Sequence, residues 1–287
     1  MIFSLAFLTL QDCGPLDAIH AAAKAGYQSI GLRLLPATPN EPAYPLLTDN
    51  RLLKNVVAAL SETGLQVGDV ELVRLGPATQ IVAFERFLAR AGQLSASHVI
   101  VVNDDTDRSR FCENFGALCE LAALHGLTVD LEPMPWTATT TLSQAYSCLA
   151  EVGQSNAGLL VDALHFHRCG DDLQVLNTIP DRMLNLFQIC DAPLRYDPSL
   201  EAIQSLSRGA RLLPGEGELP LLPLLARLPM RTKISVEVPN LKDSEQFSPE
   251  QRAVRGLQAT KRIIGMLGSR PPNETCAWVG VDGGFDY

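Results

Sequence analysis

Residues 159–168 read Leu-Leu-Val-Asp-Ala-Leu-His-Phe-His-Arg, an apolar run interrupted by a single acid. Leu159, Leu160 and Val161 lead into a single carboxylate, Asp162, with Ala163 and Leu164 beyond it and His165 three residues on. A run this apolar reads as a strand buried on both faces, as in a parallel sheet covered by helices. An ionised carboxylate ending such a strand cannot stay unpaired, because burying it without a partner is very costly. It requires a cation, a hydrogen-bond network or a metal.

On either side of it, short apolar runs recur at 2–8, 28–32, 66–73, 98–102, 127–131, 183–189 and 233–238. Segments of helical periodicity alternate with them, at 15–25, from Asp49 or Asn50 to Gly64, and at 80–94, 108–125, 142–152, 171–176, 221–228 and 249–266. Gly26 and Gly64 stand where helices of this kind stop. Eight strand signals alternating with helices mark a parallel βαβ chain, and eight units in one domain favour closure into a barrel. No G-x-G-x-x-G follows the first strand, which counts against an open dinucleotide-binding sheet. The expectation is α/β, a single (β/α)8 TIM barrel over residues 1–266. Residues 267–287, rich in Gly and Pro, fall outside it as a tail or an arm against a neighbouring subunit.

The bulk numbers agree. At 287 residues with 46 % hydrophobic composition, the chain has enough apolar material for one continuous core. A net charge of −9 opposes a nucleic-acid groove or an anionic membrane surface, both of which want clustered Lys and Arg. It leaves room for a small anionic substrate held by one or two arginines. The seven cysteines are scattered with no C-x-x-C pair, which reads as reduced, buried thiols used for packing, Cys190 included. The apolar start MIFSLAFLTL lacks a basic leader and meets Gln11 and Asp12 at once, so it reads as a first strand. No apolar run is long enough to span a bilayer. A soluble, cytoplasmic protein acting on a small molecule is expected, with no nucleic acid and no membrane as partner.

Polar residues gather at the ends of the later strands: Glu132 after the fifth, Asp162 at the sixth, Gln188 at the seventh and Glu237 at the eighth. In a barrel these ends converge on one mouth, where barrel active sites lie. Three carboxylates brought together without a cation repel one another and take up protons. One divalent metal with oxygen ligands resolves that conflict, and carboxylates plus an amide suit Mn²⁺ or Mg²⁺ better than Zn²⁺ or Co²⁺. Arg33, Asn103 and Arg195 follow strand ends and are candidates to hold a substrate carboxylate or phosphate. Trp136, just past Glu132, is a candidate wall of the pocket. Glu216, between Gly215 and Gly217, either caps a turn or reaches the substrate. Asp191 and Glu71 are candidates to orient ligands from behind, with Asp69 and Glu71 on one side of their strand. His167 and Arg168 read as loop or surface residues.

At these residues the sequence resembles the xylose-isomerase-like sugar isomerase/epimerase superfamily. The matching pieces are Leu-Glu-Pro at 131–133, Val-Asp-Ala-Leu-His at 161–165, Gln-Ile-Cys-Asp at 188–191, Pro-Gly-Glu-Gly at 214–217 and Val-Glu-Val-Pro at 236–239. The resemblance covers residues 2–265 and implies that Glu132, Asp162, the residue at 188 and Glu237 bind one divalent metal. It implies further that the two glutamates flank the reacting carbon, and that His165 touches a substrate hydroxyl or carbonyl. Many isomerases and epimerases of this kind carry a His where this chain has Gln188; a Gln there resembles 3-dehydroshikimate dehydratase-like members. Barrels of this kind often pair, so a homodimer is the expectation by analogy.

These groups suit proton abstraction next to a carbonyl. A metal on both substrate oxygens stabilises the ene-diolate that forms, and a nearby carboxylate takes the proton. Glu132 and Glu237 are the acid/base candidates, and His165 is the polariser or acid. The expected activity is a metal-dependent isomerase or epimerase of a small sugar or keto-polyol, in carbohydrate metabolism. The alternative is a lyase that dehydrates a keto-acid or an inosose. A nuclease related to apurinic-site endonucleases would need a histidine-rich multi-zinc site, which five His and an acidic chain do not supply. A barrel that only binds a ligand leaves the two glutamates unexplained.

Overall fold

The computed structural model describes residues 1–38, 41 and 44–267. Eight strands run in parallel: β1 (Phe3–Leu5), β2 (Ser29–Arg33), β3 (Gln66–Leu75), β4 (His98–Asn103), β5 (Thr128–Leu131), β6 (Ala157–Asp162), β7 (Leu184–Ile189) and β8 (Lys233–Val236). They pair in sequence order, and β8 returns to β1 with Phe3 opposite Ile234 and Leu5 opposite Val236. The result is a closed (β/α)8 barrel, which leaves no sheet edge exposed.

Around it lie α1 (Pro15–Ala25), α2 (Asn50–Thr63), α3 (Glu85–Gln93), α4 (Arg108–Ala123), α5 (Leu142–Val152), α6 (Ala163–Arg168), α7 (Leu200–Gly209), α8 (Leu221–Leu225), α9 (Leu241–Gln246) and α10 (Pro249–Leu267). Local chemistry fixes their ends. Asp49 accepts the N–H groups of Arg51 and Leu52 to start α2, and Thr141 and Gln144 form a reciprocal capping box at α5. α1 ends at Gly26, whose φ of 92° a residue with a Cβ adopts only under strain.

Two apolar layers follow from the alternation of side chains along each strand. Val99, Val129, Leu159 and Phe187 face outward onto helix residues such as Ile19, Phe87, Phe115 and Leu257. Ile100, Leu160 and Leu186 fill the barrel interior with Leu72 and Val102. Leu160 pairs in register with Leu186, and two residues on, Asp162 pairs with Gln188. The period of two therefore stacks the polar groups of β6 and β7 directly above an apolar plug.

Some expectations change. The strand ends at Asp162 as expected, but residues 163–168, read as part of the loop beyond it, turn at once into α6. A helix, α7, occupies part of what reads as a long polar loop; its exposed face, with Glu201 and Arg208 in its end turns, hides the periodicity. Cys112 of α4 and Cys148 of α5 are paired as a disulfide, against seven reduced thiols. These two neighbouring helices bury the cysteines on facing sides, a proximity that a separation of 36 residues does not announce. Among the described residues no helix is long and apolar enough to cross a membrane. The proposed tail at 267–287 lies outside the described residues beyond Leu267.

Candidate active site

Consecutive strands deliver the central side chains. Glu132 follows β5, its N–H donating to the Val101 carbonyl; Asp162 ends β6; Gln188 lies in β7; Glu237 follows β8 with its N–H on Ile189 O. All four are buried. Asp162 has two partners. Its Oδ1 accepts the His165 N–H at 2.9 Å, capping α6, and its Oδ2 accepts Arg211 Nη1 at 2.6 Å. Because α6 begins directly after the strand, the cap also places the His165 ring beside Glu132, with Nε2 3.8 Å from Oε1.

Arg211 is the functional candidate that the sequence reading missed. It is 1 % exposed, and its Nη2 also reaches Glu237 Oε2 at 3.0 Å while Nε donates to Ser207 O at 2.8 Å. One guanidinium thus spans the carboxylates of β6 and β8. Its signal was indirect: three acids at one mouth demand a buried cation, but nothing in Arg-Leu-Leu-Pro-Gly singles out this arginine among loop residues. Gln188 Nε2 donates to Glu237 Oε1 at 2.9 Å, which leaves Gln188 Oε1 buried and without a hydrogen-bond partner.

The electrostatics separate these groups. Burial pushes the Glu132 carboxyl well above the usual range, and the charges of Glu237, Asp162 and Glu71 add to the effect. Burial likewise raises Glu237 to about 8, although Arg211 opposes it. Burial acts upward on Asp162 too, but Arg211, His165 and the capping hydrogen bond outweigh it and hold that carboxyl low. His165 is lowered to about 4, chiefly by burial, so its ring is neutral near pH 7. One arginine cannot balance three buried carboxylates. Carboxylate oxygens of Glu132 and Asp162 and a ring nitrogen of His165 lie within 4.8 Å of one another. With the unpartnered Gln188 oxygen, this donor set fits a divalent cation.

The other expected residues divide. Arg33 is buried at the mouth, with Nε 2.7 Å from Glu41 and Nη1 3.1 Å from Glu71. Glu71 and Asp69 share the inner side of β3, and burial raises them to about 8 and about 7. Trp136 stands edge-on to His165 with ring centres 5.0 Å apart, one wall of a cleft of about 480 Å³ that also holds Glu132, Gln188 and Glu237. Asn103, Arg195 and Glu216 do not join them. Asn103 is spent on the β4–α4 turn and on Thr139, with Nδ2 donating to Thr139 Oγ1 and Oδ1 accepting the Asp105 N–H. Arg195 and Glu216 are exposed away from the cleft, because the loop 214–217 is tied down by Asp191, which accepts the N–H groups of Gly215 and Leu219 at 2.9 Å each. Asp191 thus orients that loop and no metal ligand. Arg168, read as a surface residue, is buried, donates to Pro193 O at 2.7 Å and lies 3.7 Å from the Tyr196 ring centre.

Residues 19–263 match the xylose isomerase-like TIM barrel family. The chain belongs to that family. Within this xylose isomerase-like group it is 25 % identical over 174 residues to an inosose isomerase of Bacillus velezensis, 55 % of this chain and 59 % of that one. Across the inosose isomerases it matches, between 43 % and 64 % of the relative's length is spanned. Among solved barrels of the same fold, an IolI protein with a bound zinc atom superposes with a TM-score of 0.77 at 19 % identity, covering 94 % of this chain and 100 % of that one. The probable 3-DHS dehydratase AsbF of Bacillus anthracis superposes with a TM-score of 0.72 at 15 % identity, covering 91 % and 100 %. At these identities the superpositions speak for the fold.

Proposed function

We propose that the protein is a divalent-metal-dependent isomerase or epimerase that moves a proton next to the carbonyl of a small sugar or keto-polyol. The observation that carries this reading is the pair of buried glutamates with raised carboxyls, Glu132 and Glu237, each the first residue past its strand at one mouth. A carboxyl raised to about 8, as in Glu237, exchanges protons close to neutral pH, and burial moves Glu132 in the same direction. The match to inosose isomerases supports the same class of chemistry.

Glu132, Asp162, Gln188 and Glu237 would hold the cation, with His165 beside Glu132 and Asp162; the oxygen-rich set favours Mn²⁺ or Mg²⁺. When bound there, a divalent ion supplies charge stabilisation for an oxyanion developing on the substrate. The chain's own groups do the rest. One glutamate, ionised, accepts the proton from the carbon, and the other, protonated, returns one. Arg211 fixes Asp162 and Glu237 relative to each other. His165, neutral, offers an N–H to the substrate oxygen, and Trp136 holds its ring in place.

Gln188 favours one second reading. An amide in place of imidazole resembles the dehydratase-like members; in this chain a leaving hydroxyl would take its proton from the raised Glu237 carboxyl, since His165, expected from sequence as an acid, is lowered to about 4. The test is incubation in D₂O of the Mg²⁺-loaded protein with ketoses, inososes and 3-dehydroshikimate, followed by proton NMR. Deuterium entering beside the carbonyl with the skeleton intact is expected. A dehydrated product moves the protein to the lyases, and no exchange with any compound overturns the proposed chemistry. We further propose a homodimer, checked by light scattering.

A further inference from the structure

Four arginines line the cleft: Arg33, Arg74, Arg208 and Arg211. Three have carboxylate partners. Arg33 pairs with Glu41 and Glu71, Arg211 with Asp162 and Glu237, and Arg74 grips Asp104 through two hydrogen bonds of 2.7 Å. Arg208, exposed at the rim on α7, has no carboxylate within ion-pair distance among the described residues. Its guanidinium carbon lies 5.8 Å from the centre of the Trp136 ring. The indole Nε1 of Trp136 is itself buried and has no hydrogen-bond acceptor. Both residues line the cleft, so two donors that accept nothing, a guanidinium lying over an aromatic face and an indole N–H, stand on one wall of it with no carboxylate partner among the described residues.

Their placement relative to the reacting groups is set by a row of contacts. Glu132 lies 3.8 Å from His165, the His165 ring centre 5.0 Å from that of Trp136, and Arg208 beyond it. The cleft is thus polarised, with carboxylates on its floor and, at its rim, a positive charge whose one partner is an aromatic face. Partial burial and the like charges of Arg74 and Arg33 weigh on the Arg208 cation, with Glu41 in opposition. An incoming anion relieves that strain on the charge, whereas a neutral polyol does not.

We propose that Arg208 and the Trp136 indole N–H form a carboxylate-binding subsite, and that the substrate is a polyhydroxylated keto acid whose carboxylate lies several bonds from its carbonyl. The inference rests on the function proposed above for where the carbonyl sits. A carboxylate matches this pair better than a phosphate does, because a planar acceptor with two oxygens takes one guanidinium edge and one N–H.

The test compares three ligands on one ketohexose skeleton, D-fructuronate, D-fructose and D-fructose 6-phosphate, titrated into the full chain. Binding is read from the ¹⁵N–¹H signal of the Trp136 indole, assigned with Trp136→Phe. Fructuronate is expected to bind about tenfold or more tighter than fructose and to shift that signal. Arg208→Ala should bring fructuronate down to the level of fructose and leave fructose unchanged, and Arg208→Lys should recover part of the difference. Equal binding of acid and sugar, tighter binding of the phosphate, an unmoved indole signal or a wild-type affinity in Arg208→Ala each overturns the subsite. Solvent deuterium exchange on the same samples is read separately. Preference for the acid without exchange defeats the proposed reaction and leaves the subsite standing; exchange without preference does the reverse.

Discussion

Asp162 shows how much one side chain does at this mouth. It caps α6 through Oδ1 and anchors Arg211 through Oδ2, so a carboxylate at a strand end here is helix cap and ion-pair partner together. Arg211 carries the larger energetic weight. Removing one partner of a buried pair strands the other charges, so Arg211→Met should cost about 3–5 kcal/mol in urea denaturation, with little recovery in Arg211→Lys, which lacks the fork that reaches two carboxylates. Glu132→Gln should abolish turnover while far-UV circular dichroism and the unfolding midpoint stay near wild type; Glu237→Gln should abolish it with the circular dichroism kept and the midpoint lowered, because Arg211 loses a charged partner. Wild-type deuterium exchange in either variant removes the roles given to the pair. At this scale the acids were legible in the sequence because each ends an apolar run. Arg211 was not, because a long side chain in a loop reaches the mouth only once the barrel has closed.

At the scale of elements, strands were easier to read than connections. The run at 98–102 was recognisable from apolarity and that at 66–73 from its period of two, and α5 matched its expected bounds because a capping box and Gly153 mark both ends. α7 escaped because its buried positions, Ile203 and Ser207, are too few and too mixed to show a stripe. Arg195 and Glu216 were expected at the cleft for their residue type, but the loop path decides. That path is held by Asp191, which bonds to the N–H groups of Ala192, Gly215 and Leu219. Asp191→Ala should therefore cost about 1–3 kcal/mol for the unmade bonds and speed amide hydrogen exchange at Gly215 and Leu219. Unchanged exchange there would remove Asp191 as the tie.

For the whole molecule the eightfold closure was the easiest inference, and the protonation of the barrel interior the least accessible. Asp69 and Glu71 share the inner side of β3, and burial raises them to about 7 and about 8. The folded state thus binds a proton that the unfolded chain, with an Asp value of 3.8, releases near pH 4. That contribution to stability is complete below the unfolded value, declines as pH rises, and is gone once pH passes the folded values. The unfolding midpoint should fall from about pH 5 to about pH 8, and Asp69→Asn should flatten that fall. A wild-type profile that rises across the window would show that the pair is ionised in the folded state.

The strand order divides the mouth into two arcs. β5 to β8 supply Glu132, Asp162, Gln188 and Glu237, while β2 and β3 supply the Arg33, Glu71 and Arg74 side of the cleft. Because each arc is a contiguous half of the chain, the two can vary under separate constraints. Substitutions among β1 to β4 and their loops can redraw the outline of what fits without displacing an acid or base. A descendant with a new substrate, or a laboratory chimera exchanging one half, would inherit its acids, its bases and the Trp136–Arg208 wall from the second half of the gene, and only the facing wall from the first.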